Sequence, residues 1–206
     1  MFSLTAADLS GRLLGCGDGP ASFNATGTAL GHQIISADPL YACSAEEIQR
    51  RIDETFPTVV EQARQNQSSF VWTDFESVDQ LAAARRAAMT EFLADYETGR
   101  SAGRYQVAEL PALPFADNQF DLTISSHFLF LYSELLSLEF HLQSVLELLR
   151  VAREVRIFPL VKLDGTPSAY VAPVCEHLRQ LGYEPQIEPV AYEFQRGARH
   201  MLRCSY

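Results

Sequence analysis

The stretch Arg12-Leu13-Leu14-Gly15-Cys16-Gly17-Asp18-Gly19-Pro20, close to the start of the chain, decides the fold. A short apolar run leads directly into three glycines at alternate positions, and a proline suited to the first turn of a helix follows them. Glycine permits sharp backbone turns and has no Cβ to hold a ligand away. A strand, a glycine turn and a helix N-terminus together predict a site for a nucleotide-like ligand.

The glycine spacing separates this stretch from two common phosphate-binding motifs. The dinucleotide fingerprint of nicotinamide oxidoreductases needs its third glycine where this chain has Pro20, so that class is disfavoured. The loop that cradles nucleoside triphosphates is excluded, because no Gly-Lys-Ser/Thr follows. The remaining alternative is a glycine turn that binds nothing.

Length and composition predict one domain with a full hydrophobic core, since 47% of the 206 residues are apolar. The chain has 16 basic and 26 acidic residues, a net charge of −10, and no dense cluster of Lys and Arg. We therefore expect no nucleic-acid partner. The four cysteines are too widely spaced for a metal site or a disulfide framework. Neither a signal peptide nor a membrane span is expected, and we predict a cytoplasmic protein.

Strands and helices alternate along the chain, which is typical of a doubly wound α/β sheet. The predicted strands cover residues 12–15, 33–37, 105–109, 120–126, 154–160, 184–194 and 200–205. The predicted helices outside the long connection cover residues 20–30, 133–152 and a segment from Thr166-Pro167 to Gly182. Residues 1–11 are too few for a substantial element. The last two strands are neighbours in sequence and predict an antiparallel hairpin at the sheet edge.

Residues 44–104 form a connection far longer than a normal βα loop. The capping boxes Ser44-Ala45-Glu46-Glu47 and Ser77-Val78-Asp79-Gln80 predict two helices, and Pro57 predicts a break, a kink or a new start in the first. We interpret the segment as a helical insertion beside the glycine loop, acting as a lid or a substrate-selecting wall. Three aromatic residues form either an apolar substrate wall or the packing of this insertion on the sheet: Phe70, Trp72 and Phe75.

Asp38 follows the second predicted strand directly, and parallel sheets bind ligands at the carboxyl ends of their strands. It lies roughly 20 residues past the glycines, where an acid can accept two hydrogen bonds from ribose hydroxyls. The alternative is an ordinary turn residue before Pro39.

Together these landmarks resemble the class I S-adenosylmethionine (SAM)-dependent methyltransferases. Gly15-Cys16-Gly17-Asp18-Gly19 is similar to that family's first motif, GCGxG, and Asp38 falls at its ribose-binding acid. Residues 113–121 are similar to its LPFxDxxFD run before strand four. Arg150-Val151 and Leu181-Gly182-Tyr183 also match. The match spans nearly the whole chain apart from the insertion, and in detail it looks like a small cyanobacterial branch of uncharacterised methyltransferases.

Two departures from the family pattern concern the lid and the substrate pocket. The helix that usually precedes strand one is nearly absent, and the Pro-Gly-Gly turn after the helix at 133–152 is missing. The inserted helices are the natural replacement for the missing cover.

The resemblance implies a single domain over residues 1–206 with a mostly parallel, seven-stranded Rossmann-like sheet. It implies SAM as cofactor, a small-molecule methyl acceptor, and a monomer or homodimer. Glu109, four residues ahead of Leu113-Pro114-Phe115, is where the family often has an acid near the adenine amino group. The implied cofactor contacts are Gly15, Cys16, Gly17, Gly19, Asp38, Glu109, Leu110 and Ser125.

The segment Ser125-Ser126-His127-Phe128, just past strand four, lies where acceptors approach in the resembled family. The Asn/Asp-Pro-Pro-aromatic motif of enzymes that methylate nucleic-acid bases is absent. His127 is the candidate general base or acceptor-positioning group, since a histidine pKa lies near neutrality. Alternatively, it packs on the cofactor or donates to a carbonyl. Tyr132, Glu139 and His141 are further candidates for the pocket wall. The alternative function is a binding module of the same fold without catalysis.

Overall fold

The computed structural model describes residues 1–206 and contains one seven-stranded sheet. Its strands are β1 Arg12–Cys16, β2 Gln33–Ala37, β3 Tyr105–Gln106, β4 Phe120–Ser126, β5 Ala152–Phe158, β6 Gln186–Pro189 and β7 His200–Ser205. They lie in the order β3-β2-β1-β4-β5-β7-β6. β1 to β5 pair in parallel, and β7 is antiparallel to both β5 and β6. The strand order reverses between β1 and β4, where parallel α/β sheets leave a ligand-binding crevice.

Six α-helices accompany the sheet: α1 Ala6–Ser10, α2 Phe23–Ala29, α3 Ala45–Gln65, α4 Val78–Ser101, α5 Leu138–Val151 and α6 Val171–Gln180. On one face, apolar residues of α5 and α6 pack against β1, β5 and β7 in a core of 21 buried residues. A smaller core on the other face joins Leu13, Ile34 and Ile124 to the amino-terminal residue Phe2. None of the helices combines the length and the apolar character needed to cross a membrane.

The segment between β2 and β3 forms its own aromatic core beside the sheet. Tyr41, Phe92, Tyr96 and Tyr105 are fully or almost fully buried together with apolar residues of α3. The Tyr96 hydroxyl donates to the carbonyls of Tyr41 and Cys43 at 2.9 and 3.0 Å. α4 packs against α2 and β3 and is therefore the crossover helix of this βαβ unit, while α3 packs on α4. The insertion proper is thus α3 and the loop that follows it.

Pro57 neither breaks its helix nor starts a new one, so two of the three predicted alternatives are wrong and only the kink stays a prediction. α3 runs through it from Ala45 to Gln65. Pro57 is exposed, so the carbonyl that loses its helical hydrogen bond is open to water. Phe56 and Ala63, before and after the proline, are both buried, and this packing keeps the two halves in one helix.

Two predicted strands are shorter than expected. β3 ends at Gln106 rather than at Glu109, because as the edge strand it pairs only with the last two residues of β2. β6 ends at Pro189 rather than at Phe194. Beyond it the chain leaves the sheet, and the Phe194 ring stacks on Phe70 at 4.7 Å. The bounds predicted for residues 33–37, 120–126 and 200–205 match β2, β4 and β7.

The predicted helices begin too early. α5 starts at Leu138, because the hydroxyl of Ser137 caps it by accepting from the Phe140 N–H. Leu135, which lies within the predicted helix range 133–152, is 78% exposed. α6 starts at Val171, because the preceding Thr166 is held in a turn by hydrogen bonds to Asp164.

The amino-terminal residues do contain a short helix, α1, and they are anchored to the sheet. Thr5 caps α1 in a reciprocal capping box with Asp8. The Arg156 side chain on β5 is 5% exposed and binds the Asp8 carboxylate at 3.0 Å. It also donates to the carbonyl of Phe2 at 2.8 Å. This pairing holds residues 1–4 beside the carboxyl end of β4.

Candidate functional site

The glycine turn after β1 adopts backbone angles that favour glycine. Gly17 and Gly19 have φ angles of 73° and 56°, in the left-handed region that side chains with a Cβ rarely adopt. A Cβ on Gly17 would lie 3.0 Å from the ring of Phe128. A Cβ on Gly19 would meet nothing within 4 Å, so this glycine borders open space. The turn therefore presents bare backbone to a cavity.

Asp38 holds the glycine turn against the end of β2. Its carboxylate accepts hydrogen bonds from the backbone N–H groups of Gly19 and Leu40, each at 2.8 Å. The Tyr41 hydroxyl donates to the Gly19 carbonyl at 2.9 Å. Each carboxylate oxygen has two acceptor positions, so Asp38 keeps acceptor capacity for a ligand hydroxyl.

Asp18 is the functional candidate that sequence reasoning missed. Its carboxyl accepts a hydrogen bond from the Ser36 hydroxyl at 2.6 Å, and a Cβ on Gly15 would overlap it. Burial raises the pKa of Asp18 to about 7; the Ser36 hydrogen bond opposes this rise, and the charge of Asp38 adds to it. Its place inside the glycine motif was the available signal, but the sequence does not show that the side chain folds back over the turn.

A cavity of about 650 Å³ lies at the carboxyl ends of β1, β2 and β4, and we call it the glycine-loop cavity. Its volume is within the usual range for small-molecule sites. Seven predicted site residues line it: Cys16, Gly17, Gly19, Asp38, Glu109, Leu110 and His127. The other lining residues are Asp18, Pro39, Ala108, Ser126, Phe128, Tyr132, Leu136 and Phe140.

The structure does not bring Gly15 and Ser125 to the surface of this cavity. Gly15 is inside β1 beneath Asp18. Ser125 is fully buried in β4 and its hydroxyl has no partner, whereas the next residue, Ser126, lines the cavity. Ser125 therefore lies outside the cavity lining, and its contact with the cofactor stays a prediction. β4 is a central strand, and almost all of its residues are buried. The sequence therefore did not indicate which of its alternating side chains reach the cavity.

His127 leaves the end of β4 in a strained conformation, with a φ of 54°. Its N–H donates to the Phe158 carbonyl at 2.7 Å, and its Nδ1 lies 2.8 Å from the Ser126 hydroxyl. His127 is exposed and borders the glycine-loop cavity and a second cavity beside residues 1–4. Desolvation of its ring by the walls around it, followed by repulsion from Arg85, lowers the pKa of His127 to about 4. His127 is therefore neutral at physiological pH.

The other candidate side chains take different places. Tyr132 lines the cavity. His141 is fully buried with both ring nitrogens beside backbone carbonyls, at 2.7 and 3.0 Å, and Glu139 is exposed. The Cys16 thiol is buried, which raises its pKa well above the ordinary value, so it is a poor nucleophile. No group of three or more His, Cys, Asp or Glu side chains is arranged to hold a metal ion.

Two further cavities adjoin the first. The amino-terminal cavity, about 620 Å³, is lined by Met1, Phe2, Ser3, Leu4, Asp18, Ala21, Phe23, Ile124, Ser126 and His127. The insertion cavity, about 390 Å³, is lined by Asp18, Pro20, Ala21, Ile52, Thr55, Phe56, Val59, Arg85, Ala88 and Met89. Asp18 borders all three cavities, and Ser126 and His127 border the first two.

Comparison with known proteins gives one relative in sequence and several in structure. The uncharacterized protein MJ0045 of Methanocaldococcus jannaschii is 32% identical over 203 residues, which cover 98% of this chain and 89% of the relative. No family model matches the chain.

Solved structures share the fold at low sequence identity. The PH0226 protein of Pyrococcus horikoshii aligns with a TM-score of 0.50 and 12% identity, over 95% of this chain and 81% of that one. The magnesium protoporphyrin IX methyltransferase of Synechocystis, solved with bound SAM, aligns with a TM-score of 0.50 and 12% identity. That alignment covers 97% of this chain and 72% of that one. The predicted seven-stranded, mostly parallel methyltransferase fold is thereby confirmed.

Proposed function

This chain belongs to the same family as MJ0045 of Methanocaldococcus jannaschii, and we propose that it is a SAM-dependent methyltransferase of a small-molecule acceptor. The observation that carries the proposal is the glycine-loop cavity, where the open backbone at Gly19 and the carboxylate of Asp38 meet at the carboxyl ends of β1 and β2. The fold, shared with SAM-dependent methyltransferases, supports it. The cyanobacterial branch suggested by the sequence stays a prediction.

The residues around the cavity fit the cofactor. Bare backbone at Gly17 and Gly19 permits close approach of the methionine part. Asp38 would accept from ribose hydroxyls, and Glu109 with Leu110 would border the adenine. SAM supplies an electrophilic methyl group, so the protein needs mainly to bind and align the reactants.

His127 and its neighbours would position the acceptor at the β4 side of the cavity. When the Ser126 hydroxyl accepts from Nδ1–H, the other ring nitrogen, Nε2, is left as an acceptor without a partner in the chain. The neutral ring would then accept a hydrogen bond from an O–H or N–H of the acceptor and hold its nucleophile within about 3–3.5 Å of the methyl carbon. The aromatic rings of Phe128, Tyr132 and Phe140 would exclude water from this side.

We infer a small molecule rather than a nucleic acid as acceptor, because the net charge is −10 and no dense basic patch is available for phosphates. Four free cysteines support a reducing, cytoplasmic location. A monomer or homodimer is our proposal for the assembly.

Calorimetric titration with S-adenosylhomocysteine, the demethylated cofactor, tests the proposal. We expect micromolar binding that Asp38→Ala weakens at least tenfold, about 1.4 kcal/mol. Asp79→Ala is the matched control, since its carboxylate is 80% exposed at the start of α4. Absence of binding to the wild-type protein would contradict the proposal.

A catalytically silent binding module is the second candidate, because a histidine with a pKa of about 4 is a weak general base. Turnover of SAM to S-adenosylhomocysteine with any acceptor would rule it out. Binding without turnover across phenols, amines and carboxylates would favour it.

A further inference from the structure

The amino-terminal and insertion cavities are adjacent; their linings extend from His127 to helix α4, and we call the two cavities together the apolar route. They share Asp18 and Ala21. The walls are largely apolar, with Phe2, Phe23 and Ile124 near His127 and a second group farther along: Ile52, Phe56, Val59 and Met89. A ligand that reaches His127 through this route must itself present apolar surface.

Arg85 is the charged group at the far end of this route. It lines the insertion cavity and is exposed at its mouth, and it forms neither an ion pair nor a hydrogen bond within the chain. Its neighbour Arg86, in contrast, lies 3.5 Å from the Asp53 carboxylate. In a protein with net charge −10, a cation without a carboxylate partner beside a cavity is a candidate anion receptor.

The surroundings of Arg85 suit an aromatic anion. Its guanidinium carbon lies 6.0 Å from the centre of the Phe194 ring. The Tyr192 hydroxyl has no hydrogen-bond partner, and burial raises the pKa of Tyr192 while the charge of Arg85 opposes that rise. Asp74, the nearby carboxylate that also acts on Tyr192, forms no ion pair with Arg85.

Arg85 and His127 line adjacent cavities although 42 residues separate them in the sequence. The charge of Arg85 is one of the causes of the lowered pKa of His127. Asp18 lies between them, and burial favours its neutral form. A negative group placed at Arg85 therefore meets a cation at one end, and the raised pKa of Asp18 lowers the negative charge that would oppose it along the route.

We propose that the methyl acceptor is an aromatic or otherwise apolar compound with one anionic group, which pairs with Arg85 while the reacting atom lies beside His127. This identification of the substrate class rests on the proposed methyltransferase function. A carboxylate or sulfonate suits the guanidinium, because two parallel N–H groups of arginine can donate to two of its oxygens.

A matched pair of fluorescent probes tests the anion receptor without the true acceptor. The anionic probe is 8-anilinonaphthalene-1-sulfonate, and the neutral probe is N-phenyl-1-naphthylamine, which has the same rings without the sulfonate. We expect Arg85→Gln to weaken binding of the anionic probe about five- to tenfold and to leave the neutral probe unchanged. Arg85→Lys, which keeps the charge, should retain most of the affinity.

Two controls locate the effect. Arg51→Gln removes another arginine without an ion pair, on α3 and outside the three cavities, and should change neither probe. Ala88→Trp fills the insertion cavity beside Arg85 and should weaken both probes. Equal affinity of the anionic probe for wild type and Arg85→Gln would overturn the proposal, and so would indifference of both probes to Ala88→Trp.

Titration of the same variants with S-adenosylhomocysteine separates the two proposals. If wild type and Arg85→Gln bind S-adenosylhomocysteine equally, and Arg85→Gln weakens binding of the anionic probe only, both proposals are supported. If S-adenosylhomocysteine binds but the affinity of the anionic probe does not depend on Arg85, the proposed acceptor class is overturned and the proposed methyltransferase function stands. If the probe depends on Arg85 but S-adenosylhomocysteine does not bind, the anion receptor stands and the methyltransferase, with the assignment of this anion as its acceptor, is overturned.

Discussion

Replacing Asp18 by asparagine should stabilise the protein, and more strongly at pH 8 than at pH 5. Burial raises the pKa of Asp18 to about 7 from an ordinary value of 3.8. Between these values the folded protein binds a proton that the unfolded chain has released, so this group costs stability as the pH rises. Each pKa unit corresponds to about 1.4 kcal/mol.

The magnitude follows from the pH interval. From pH 5 to pH 7 the cost grows by about 2.3 kcal/mol, and above pH 7 it levels off. Asparagine removes the charge and still offers Ser36 an acceptor oxygen. The free energy of unfolding of Asp18→Asn minus that of wild type should therefore be about 2.6 kcal/mol larger at pH 8 than at pH 5.

Urea unfolding of both proteins at the two pH values measures this difference. The variant is compared with wild type at each pH because His127 changes the free energy of unfolding with pH in the opposite direction, and this contribution cancels in the difference. Its folded pKa is lowered, so its contribution to stability improves as the pH rises through about 4 to 6.5. Asp164→Asn is the control. Hydrogen bonds from Thr166 lower the pKa of this exposed carboxylate. The free energy of unfolding of Asp164→Asn minus that of wild type should therefore not grow between pH 5 and pH 8. An equal difference for Asp18→Asn at both pH values would refute the reasoning.

Two further predictions concern packing and a partly buried ion pair, and urea unfolding tests both. Leu135→Ser should change the free energy of unfolding by less than about 0.5 kcal/mol, because Leu135 is 78% exposed. Leu149→Ala on α5 should cost about 2–5 kcal/mol, because Leu149 is 1% exposed. Similar losses in the free energy of unfolding for Leu135→Ser and Leu149→Ala would contradict the helix start at Leu138. Arg104→Met should cost about 2–4 kcal/mol, because its guanidinium binds both oxygens of Asp95 at 2.6 and 2.7 Å and also Asn24 at 2.6 Å. If Arg104→Met destabilised the Asp95→Leu variant less than it destabilises the wild type, the uncompensated carboxylate of Asp95 would be identified as the source of the loss.

The local sequence was sufficient for elements whose ends carry their own signals. β2 and β4 were predicted with their observed bounds, because β2 is a short apolar segment that ends before Asp38 and β4 alternates apolar and polar residues from Phe120 onward. The start of α3 was equally clear, since the Ser44 capping box acts within one turn. The glycine motif and Asp38 also carry their own conformational and chemical signals, and the structure places both on one cavity.

Elements that depend on distant partners were not predictable in the same way. The short β3 depends on how much of β2 it can pair with, and the continuity of α3 through Pro57 depends on packing against α4. Whether Ser125 or Ser126 lines the cavity depends on which face of β4, a strand covered on both faces, meets the cavity.

The sequence by itself determined the fold class, the glycine turn and the acid that holds it, because backbone geometry and residue spacing act locally. Only the tertiary structure decided that Asp18 folds over Gly15 and that Arg85 and His127 line adjacent cavities. Such arrangements arise from packing between segments far apart in the chain. Burial and Coulomb interactions depend on distances in space, which residue spacing along the sequence does not supply.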